Sequence, residues 1–351
     1  MNIENLLRDN IKTIKAYSSA RDEYKDASSD MVFIDANENP FQTNVNRYPD
    51  PQQYKVKSKL ADIKGVKPSQ ILLGNGSDEI LDLLFRAFCE PNQDNVITLP
   101  PTYGMYSVLA DLNAVEVKTV LLDENFEPEV EEILITQNNN SKILLLCSPN
   151  NPTANSFNAN KLEELIIGFK GIVVIDEAYI DFSNQESWVN RLDHFPNLVV
   201  TQTLSKAYGL AGIRLGVCYA SGFIISILNK IKPPYNINQL TQNKALERLN
   251  DLDGVKQEVS SILEQRSLLA KALSQIPFIK EVYPSDANFL LAKVDDANQR
   301  YSQLIKSGIV VRNRTNQLLC DNCLRFTIGT EEENKLLVKI LNNIFKSSYL
   351  M

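Results

Sequence analysis

Three apolar runs that read as buried strands each lead to a polar side chain: ILLLC precedes Asn151 in SPNNP, IVVI precedes Asp176, and LVVTQT precedes Lys206. The intervals between them suit successive strand–helix–strand units. A parallel sheet would then carry all three side chains to its carboxyl edge, where open α/β sheets bind ligands. Between Val96 and about Tyr219, short apolar strands alternate with amphipathic stretches such as KLEELIIGF. That alternation predicts an α/β domain with a mostly parallel sheet covered by helices on both faces.

At 351 residues the chain exceeds what one hydrophobic core usually supports, so a second, smaller domain is expected. Residues 1–35 read as an N-terminal arm, 36–245 as the large domain and 246–351 as a small α+β domain. Within the large domain an amphipathic helix is expected around Lys55 to Ile63, and ILLGNGSDE followed by ILDLLFRAF reads as strand, glycine-rich turn and helix. The two prolines of IKPPYNIN (Ile231 to Asn238) break a helix, and the hinge is placed there or slightly later. Beyond it come a long helix from about Asp253 to Gln275 and three strand-like runs, FIKEVYPSDANFLLAKV, GIVVRNR and CLRFTIGT, with a helix between the first two.

A net charge of −7 with both signs interspersed argues against a nucleic-acid surface, which needs clustered Lys and Arg. Small-molecule partners are favoured. The N-terminus lacks a secretory apolar core and no stretch reaches membrane-spanning length, so no membrane partner and a cytoplasmic location are expected. Five irregularly spaced cysteines do not suggest a disulfide framework. Cys320 and Cys323 have metal-site spacing, but no second pair follows and the single histidine, His194, is distant in sequence, so no metal is expected.

Lysine, carboxylate and amide at one sheet edge match the needs of pyridoxal 5'-phosphate (PLP). The lysine forms an imine, the carboxylate keeps the ring nitrogen protonated, and an amide or phenol steadies the ring hydroxyl. Burial beside a cationic ring would lower the pKa of Lys206 and make it both nucleophile and proton carrier. Asp176, at the end of a fully apolar run, needs a cationic partner or a helix to cap. Asn151 and Tyr179 could reach the ring hydroxyl, and Tyr103 could stack on the ring. The turn Gly74–Asn75–Gly76–Ser77–Asp78 before a helix offers N–H groups to a phosphate, with Thr203, Ser205 and Arg214 able to complete the cup.

SPNNPT, DEAY, TLSKAYGLAGIRLG and LRFTIGT, in that order, resemble the fold-type I PLP-dependent aminotransferases over almost the whole chain. DANENP, NRYPDP, GSDEILDLLFRAFCEP, PPTYGMYS and KPPYNIN resemble, within that group, the histidinol-phosphate aminotransferase family. The resemblance implies Lys206 as the imine-forming lysine, Asp176 as the ring-nitrogen partner, Asn151 and Tyr179 as ring-hydroxyl partners, and Ser77, Asp78, Thr203, Ser205 and Arg214 around the phosphate. It further implies a homodimer in which Tyr48 crosses into the neighbouring site, and exchange of an amino group between glutamate and the phosphorylated partner, with histidinol phosphate as the amino-acid substrate in histidine biosynthesis. Arg312 and Arg325, with Tyr17 and Asn37, are the candidates for holding substrate, because an arginine fork matches a carboxylate or phosphate. One departure is Ala154, where the family often has glycine after SPNNPT. An aromatic amino-acid transaminase, a decarboxylase of a phosphorylated amino acid, or a non-catalytic PLP-binding sensor remain as alternatives.

Overall fold

Residues 172–176 and 198–203 are buried along their whole length, which requires a strand covered on both faces. The computed structural model describes residues 2–17 and 31–348. Strands β1 (Ile71–Asn75), β2 (Asn95–Thr98), β3 (Glu116–Thr119), β4 (Ser141–Cys147), β5 (Ile172–Asp176), β6 (Leu198–Thr203) and β7 (Leu215–Ala220) form one sheet in the order β1-β7-β6-β5-β4-β2-β3. Pairings from β3 through β6 are parallel; β7 runs antiparallel to both β6 and β1.

Alternation along these strands builds two cores. Leu144, Leu146, Val173 and Ile175 face one helical layer, while Ile143, Leu145, Ile172 and Val174 face the other. Each such side chain contributes about 1.5–3 kcal/mol on burial, so packing on both faces holds these strands in the centre of the sheet. The helix Ser77–Phe88 buries seven apolar residues on the second face. Ile3, Leu7 and Ile11 pack on that same core, and Arg8 pairs with Glu90 at 3.1 Å. The first part of the expected arm therefore lies back on the chain's own large unit, and residues 18–30 fall outside the described residues.

The second sheet is antiparallel, with β8 (Ile279–Val282), β9 (Phe289–Val294), β10 (Arg312–Asn313) and β11 (Cys323–Thr327) in the order β10-β11-β9-β8. FIKEVYPSDANFLLAKV, read above as one run, folds as two strands. Pro284 interrupts it, and the Ser285 hydroxyl closes the turn by donating to the Phe289 carbonyl at 2.6 Å and accepting from the Ala287 N–H at 3.1 Å. The expected helix follows β9 at Ala297–Lys306.

The helix expected at Lys55 to Ile63 spans Tyr54–Lys64. IKPPYNIN does end the helix Gly222–Ile231, but its residues stay on the large sheet, with Lys232 Nζ donating to the Pro51 carbonyl at 3.0 Å and Asn236 Nδ2 to the Leu73 carbonyl at 3.0 Å. The long helix Leu252–Leu273 then passes from one core to the other: Val255 belongs to the large unit, Leu269 and Leu273 to the small one, and Ile262 packs on both. Arg266 on this helix donates to the carbonyls of Phe182 at 3.1 Å and Ala287 at 2.9 Å, tying the two units together.

Ala154 adopts φ 72°, in the left-handed region that favours glycine. The turn is nonetheless closed, since Ala154 donates to the Asn150 carbonyl at 2.8 Å and accepts from the Asp286 N–H at 2.8 Å. Ala154→Gly would relieve about 1–2 kcal/mol of backbone strain. It would also lose about 0.8 kcal/mol of methyl burial and about 0.5–1 kcal/mol to glycine's freedom in the unfolded chain. These terms cancel, so the expected change is within about 1 kcal/mol, readable as an unchanged denaturation midpoint.

All five cysteines are buried and unpaired, and Cys320 and Cys323 sit with Leu291 in a small apolar cluster. Among the described residues no helix is long and apolar enough to cross a membrane, and no cluster of His, Cys, Asp or Glu could hold a metal ion.

Candidate active site

The adjacent strands β4, β5 and β6 bring Asn151, Asp176 and Lys206 to one pocket at the carboxyl edge of the sheet. Asp176 is the last residue of β5; Asn151 and Lys206 follow just beyond β4 and β6. Asn150, fully buried, fixes the turn after β4 by donating to the Pro101 carbonyl at 2.8 Å and to Thr153 Oγ1 at 2.7 Å, and by accepting from Thr102 Oγ1 at 3.1 Å. Neighbouring asparagines thus divide the work, Asn150 holding the backbone and Asn151 facing the pocket.

Asp176 is 3% exposed. Burial raises its pKa to about 6 against the hydrogen bonds that favour its charge, from the Tyr106 hydroxyl at 3.0 Å and the Ala178 N–H at 3.2 Å. Lys206 lines the pocket and is open to it, yet protein surrounds its amine closely enough to strip part of its hydration. That desolvation, then the charges of Arg325 and Arg214, pull its pKa below the ordinary lysine value against the opposing pull of Asp176 and Asp78. Its Nζ stands 5.6 Å from the centroid of the Tyr179 ring, which in turn packs edge-on against Phe289 at 5.1 Å.

At the other end of the pocket lies the start of the helix Ser77–Phe88. Its cap, Gly76, has φ 78° and supplies no side-chain cap. A Cβ at Gly76 would stand 2.7 Å from Arg214 Nη2, and one at Gly216 would stand 2.4 Å from the Ser77 nitrogen. Only glycine lets the turn, β7 and the guanidinium converge. Arg214 approaches Asp78 at 3.7 Å, and Tyr103 donates its hydroxyl to Asp78 at 3.1 Å. Thr203 Oγ1 donates to Ser205 Oγ at 3.0 Å. Uncapped helical N–H groups, three hydroxyls and a guanidinium form a donor set suited to a phosphate.

Arg325 on β11 donates to Asn151 Oδ1 and stacks over Phe289 at 5.0 Å, which places the small unit's cation beside the pocket. Burial, then the neighbouring Arg314, lowers its pKa to about 10. Arg312 pairs with Arg325 across β10 and β11. Arg312 is exposed, whereas Arg314 is half-buried with an unpartnered Nε, as is the Nε of Arg325. Three cations without a carboxylate partner among the described residues make a site for an anion.

Tyr17, Asn37 and Tyr48 do not line this pocket. Tyr17 is 72% exposed. Asn37 and Tyr48 line a separate, wider groove with Asn238 and Leu240 that shares no residue with the Lys206 pocket, and Tyr48 stacks on Tyr235 at 4.5 Å. Sequence reasoning missed Tyr106, whose place in PPTYGMYS, one helical turn past Tyr103, is the signal that could have marked it. Arg314, two residues past Arg312 in GIVVRNR and not singled out from the sequence, is the more enclosed of the two.

The profile of the family described as aminotransferase class I and II matches residues 21–341. The histidinol-phosphate aminotransferase of Flavobacterium johnsoniae is 65% identical over 340 residues, covering 97% of both chains. Among solved structures, the histidinol-phosphate aminotransferase from Clostridium acetobutylicum superposes with a TM-score of 0.80 at 26% identity, covering 87% of this chain and 92% of the other. That from Sinorhizobium meliloti, in complex with pyridoxal-5'-phosphate, gives a TM-score of 0.80 at 22% identity, covering 87% and 84%. With the pocket geometry, these matches place the chain in the class I and II aminotransferase family, among the histidinol-phosphate aminotransferases.

Proposed function

We infer that the chain is a PLP-dependent aminotransferase that exchanges the amino group of histidinol phosphate with 2-oxoglutarate, giving imidazole-acetol phosphate and glutamate, reversibly, in histidine biosynthesis. The observation that carries this reading is one pocket holding a lysine of lowered pKa, a buried carboxylate with no cationic partner in hydrogen-bond contact, and an uncapped helix start lined with hydroxyls. When bound, PLP supplies an electron-accepting ring conjugated to the substrate nitrogen.

The residues then divide as follows. Asp176 holds its negative charge against the ring nitrogen. Asn151 and Tyr179 orient the ring hydroxyl, and Tyr103 covers the ring. Ser77, Thr203, Ser205 and Arg214 hold the phosphate, with Asp78 contributing its backbone N–H while its carboxylate fixes Arg214. Lys206 Nζ, unprotonated more readily than a surface lysine, takes the proton from substrate Cα and returns it. Arg325 grips the substrate carboxylate or phosphate beside Arg312, while Tyr17 and Asn37, which lie outside this pocket in the single chain, would complete the substrate site only in the assembled dimer.

A homodimer supplies Tyr48. The segment around it leaves Ile34 90% and Phe41 78% exposed, side chains that a second copy would cover. Light scattering that returned a monomer would remove this assignment. For Arg325→Ala, KM for both substrates is expected to rise by about 10–100-fold, the worth of charge-assisted hydrogen bonds, while cofactor content stays unchanged. Histidinol phosphate, phenylalanine and threonine phosphate, offered separately, test the substrate: kcat/KM must be highest for the first, and a preference for either other would overturn the assignment.

A further inference from the structure

We propose that Tyr106 is a positioning residue that holds Asp176 in the ionised form a pyridinium nitrogen requires. This rests on the reading of the pocket given above. Tyr106 is the second residue of the helix Met105–Leu112, fully enclosed, with its ring set edge-on to Tyr103 at 5.6 Å and 89°. A residue needed only to fill that space would be phenylalanine, because a buried hydroxyl without a partner costs about 1–3 kcal/mol. Here the hydroxyl is aimed at the carboxylate, donating to Asp176 Oδ2 at 3.0 Å.

Several groups face that carboxylate. Asp78 from the helix Ser77–Phe88 opposes its charge, and Lys206 beyond β6 favours it. Tyr103 from the loop before Met105, Cys147 from β4 and Tyr179 beyond β5 are neutral neighbours whose own ionisation Asp176 suppresses. Of the donors in place, Ala178 offers a main-chain N–H to Oδ1, Thr201, paired with Asp176 across β5 and β6, offers a side-chain hydroxyl that also favours the charge, and Tyr106 offers the hydroxyl that serves Oδ2. Without it, burial and Asp78 act on a carboxylate stripped of its partner on one oxygen, and the neutral acid that results cannot pair with a pyridinium.

Binding of 4-deoxypyridoxine 5'-phosphate to the full-length cofactor-free protein tests this, since the analogue lacks the aldehyde and cannot bond to Lys206. Its affinity, titrated between about pH 5 and 9, is expected to fall on the acid side as Asp176 takes up a proton. In Tyr106→Phe the midpoint of that fall should move up by about one pH unit. Incorporating 3-fluorotyrosine at position 106, a stronger donor of the same shape, should move it down, and this variant decides the matter if the phenylalanine variant does not fold. Placed on an Asp176→Asn background, which has no titrating carboxylate, Tyr106→Phe should leave the pH dependence of binding unmoved. An unmoved midpoint, or a shift that survives Asp176→Asn, would overturn the assignment of Tyr106. A wild type that binds the analogue at no pH would instead bring down the pocket reading beneath it.

Discussion

Lys206→Ala is expected to lower turnover by about four orders of magnitude or more, because one side chain serves as both the covalent attachment point and the proton carrier at Cα. Its position beside Asp176, Arg325 and Arg214 leaves no other described amine lining the pocket to take over either task. The check is direct. Borohydride treatment of the holoprotein followed by peptide mapping should label the peptide containing Lys206 in the wild type and leave it unlabelled in the variant. Retention of turnover in the variant would eliminate the assignment.

Asp176→Asn is expected to separate function from stability. Loss of the charge that would face the ring nitrogen should cost about a hundredfold or more in turnover, the scale of removing a preorganised electrostatic partner. The cofactor-free protein should respond in the opposite direction. Asp176 has a folded-state pKa of about 6 against an ordinary 3.8. Since the folded pKa is raised, its contribution to stability is fully present below pH 3.8 and is lost as pH rises through about 6. At pH 8 the buried charge therefore weighs against folding by roughly 2–3 kcal/mol. Asparagine keeps an acceptor for Tyr106 and carries no charge, so cofactor-free Asp176→Asn should unfold at a higher denaturant concentration than wild type at pH 8. At about pH 4 the two should coincide. Coincidence at both pH values would show that the carboxylate is solvated in the folded chain.

The line from sequence to site was clearest where burial and polarity conflict. A fully apolar run ending in Asp176 calls for a cationic partner or a helix to cap, and strand runs of the same kind point to Asn151 and Lys206. Tyr106 escaped because an aromatic at helical spacing is ordinarily core, and only the three-dimensional approach of a helix to the end of β5 gives its hydroxyl a partner. Arg312 and Arg314 alternate along one segment with a two-residue strand between β9 and β11, too short for pattern to say which is enclosed. Asn37 and Tyr48 are illegible for a different reason. Their groove lies apart from Lys206, so their proposed part requires a second chain. Pro284 is a breaker inside an apolar run whose two halves both have strand composition, so pattern alone does not separate β8 from β9.

Arg325 meets its ligand already immobilised. The ring of Phe289 lies under the guanidinium, Asn151 holds one of its nitrogens, and the backbone is locked between β9 and β10. A free arginine forfeits about 2 kcal/mol of rotamer entropy on gripping an anion; in this chain most of that loss occurs during folding. The arriving carboxylate or phosphate therefore encounters a rigid planar fork, and discrimination among anions follows their shape and approach angle more than their charge alone.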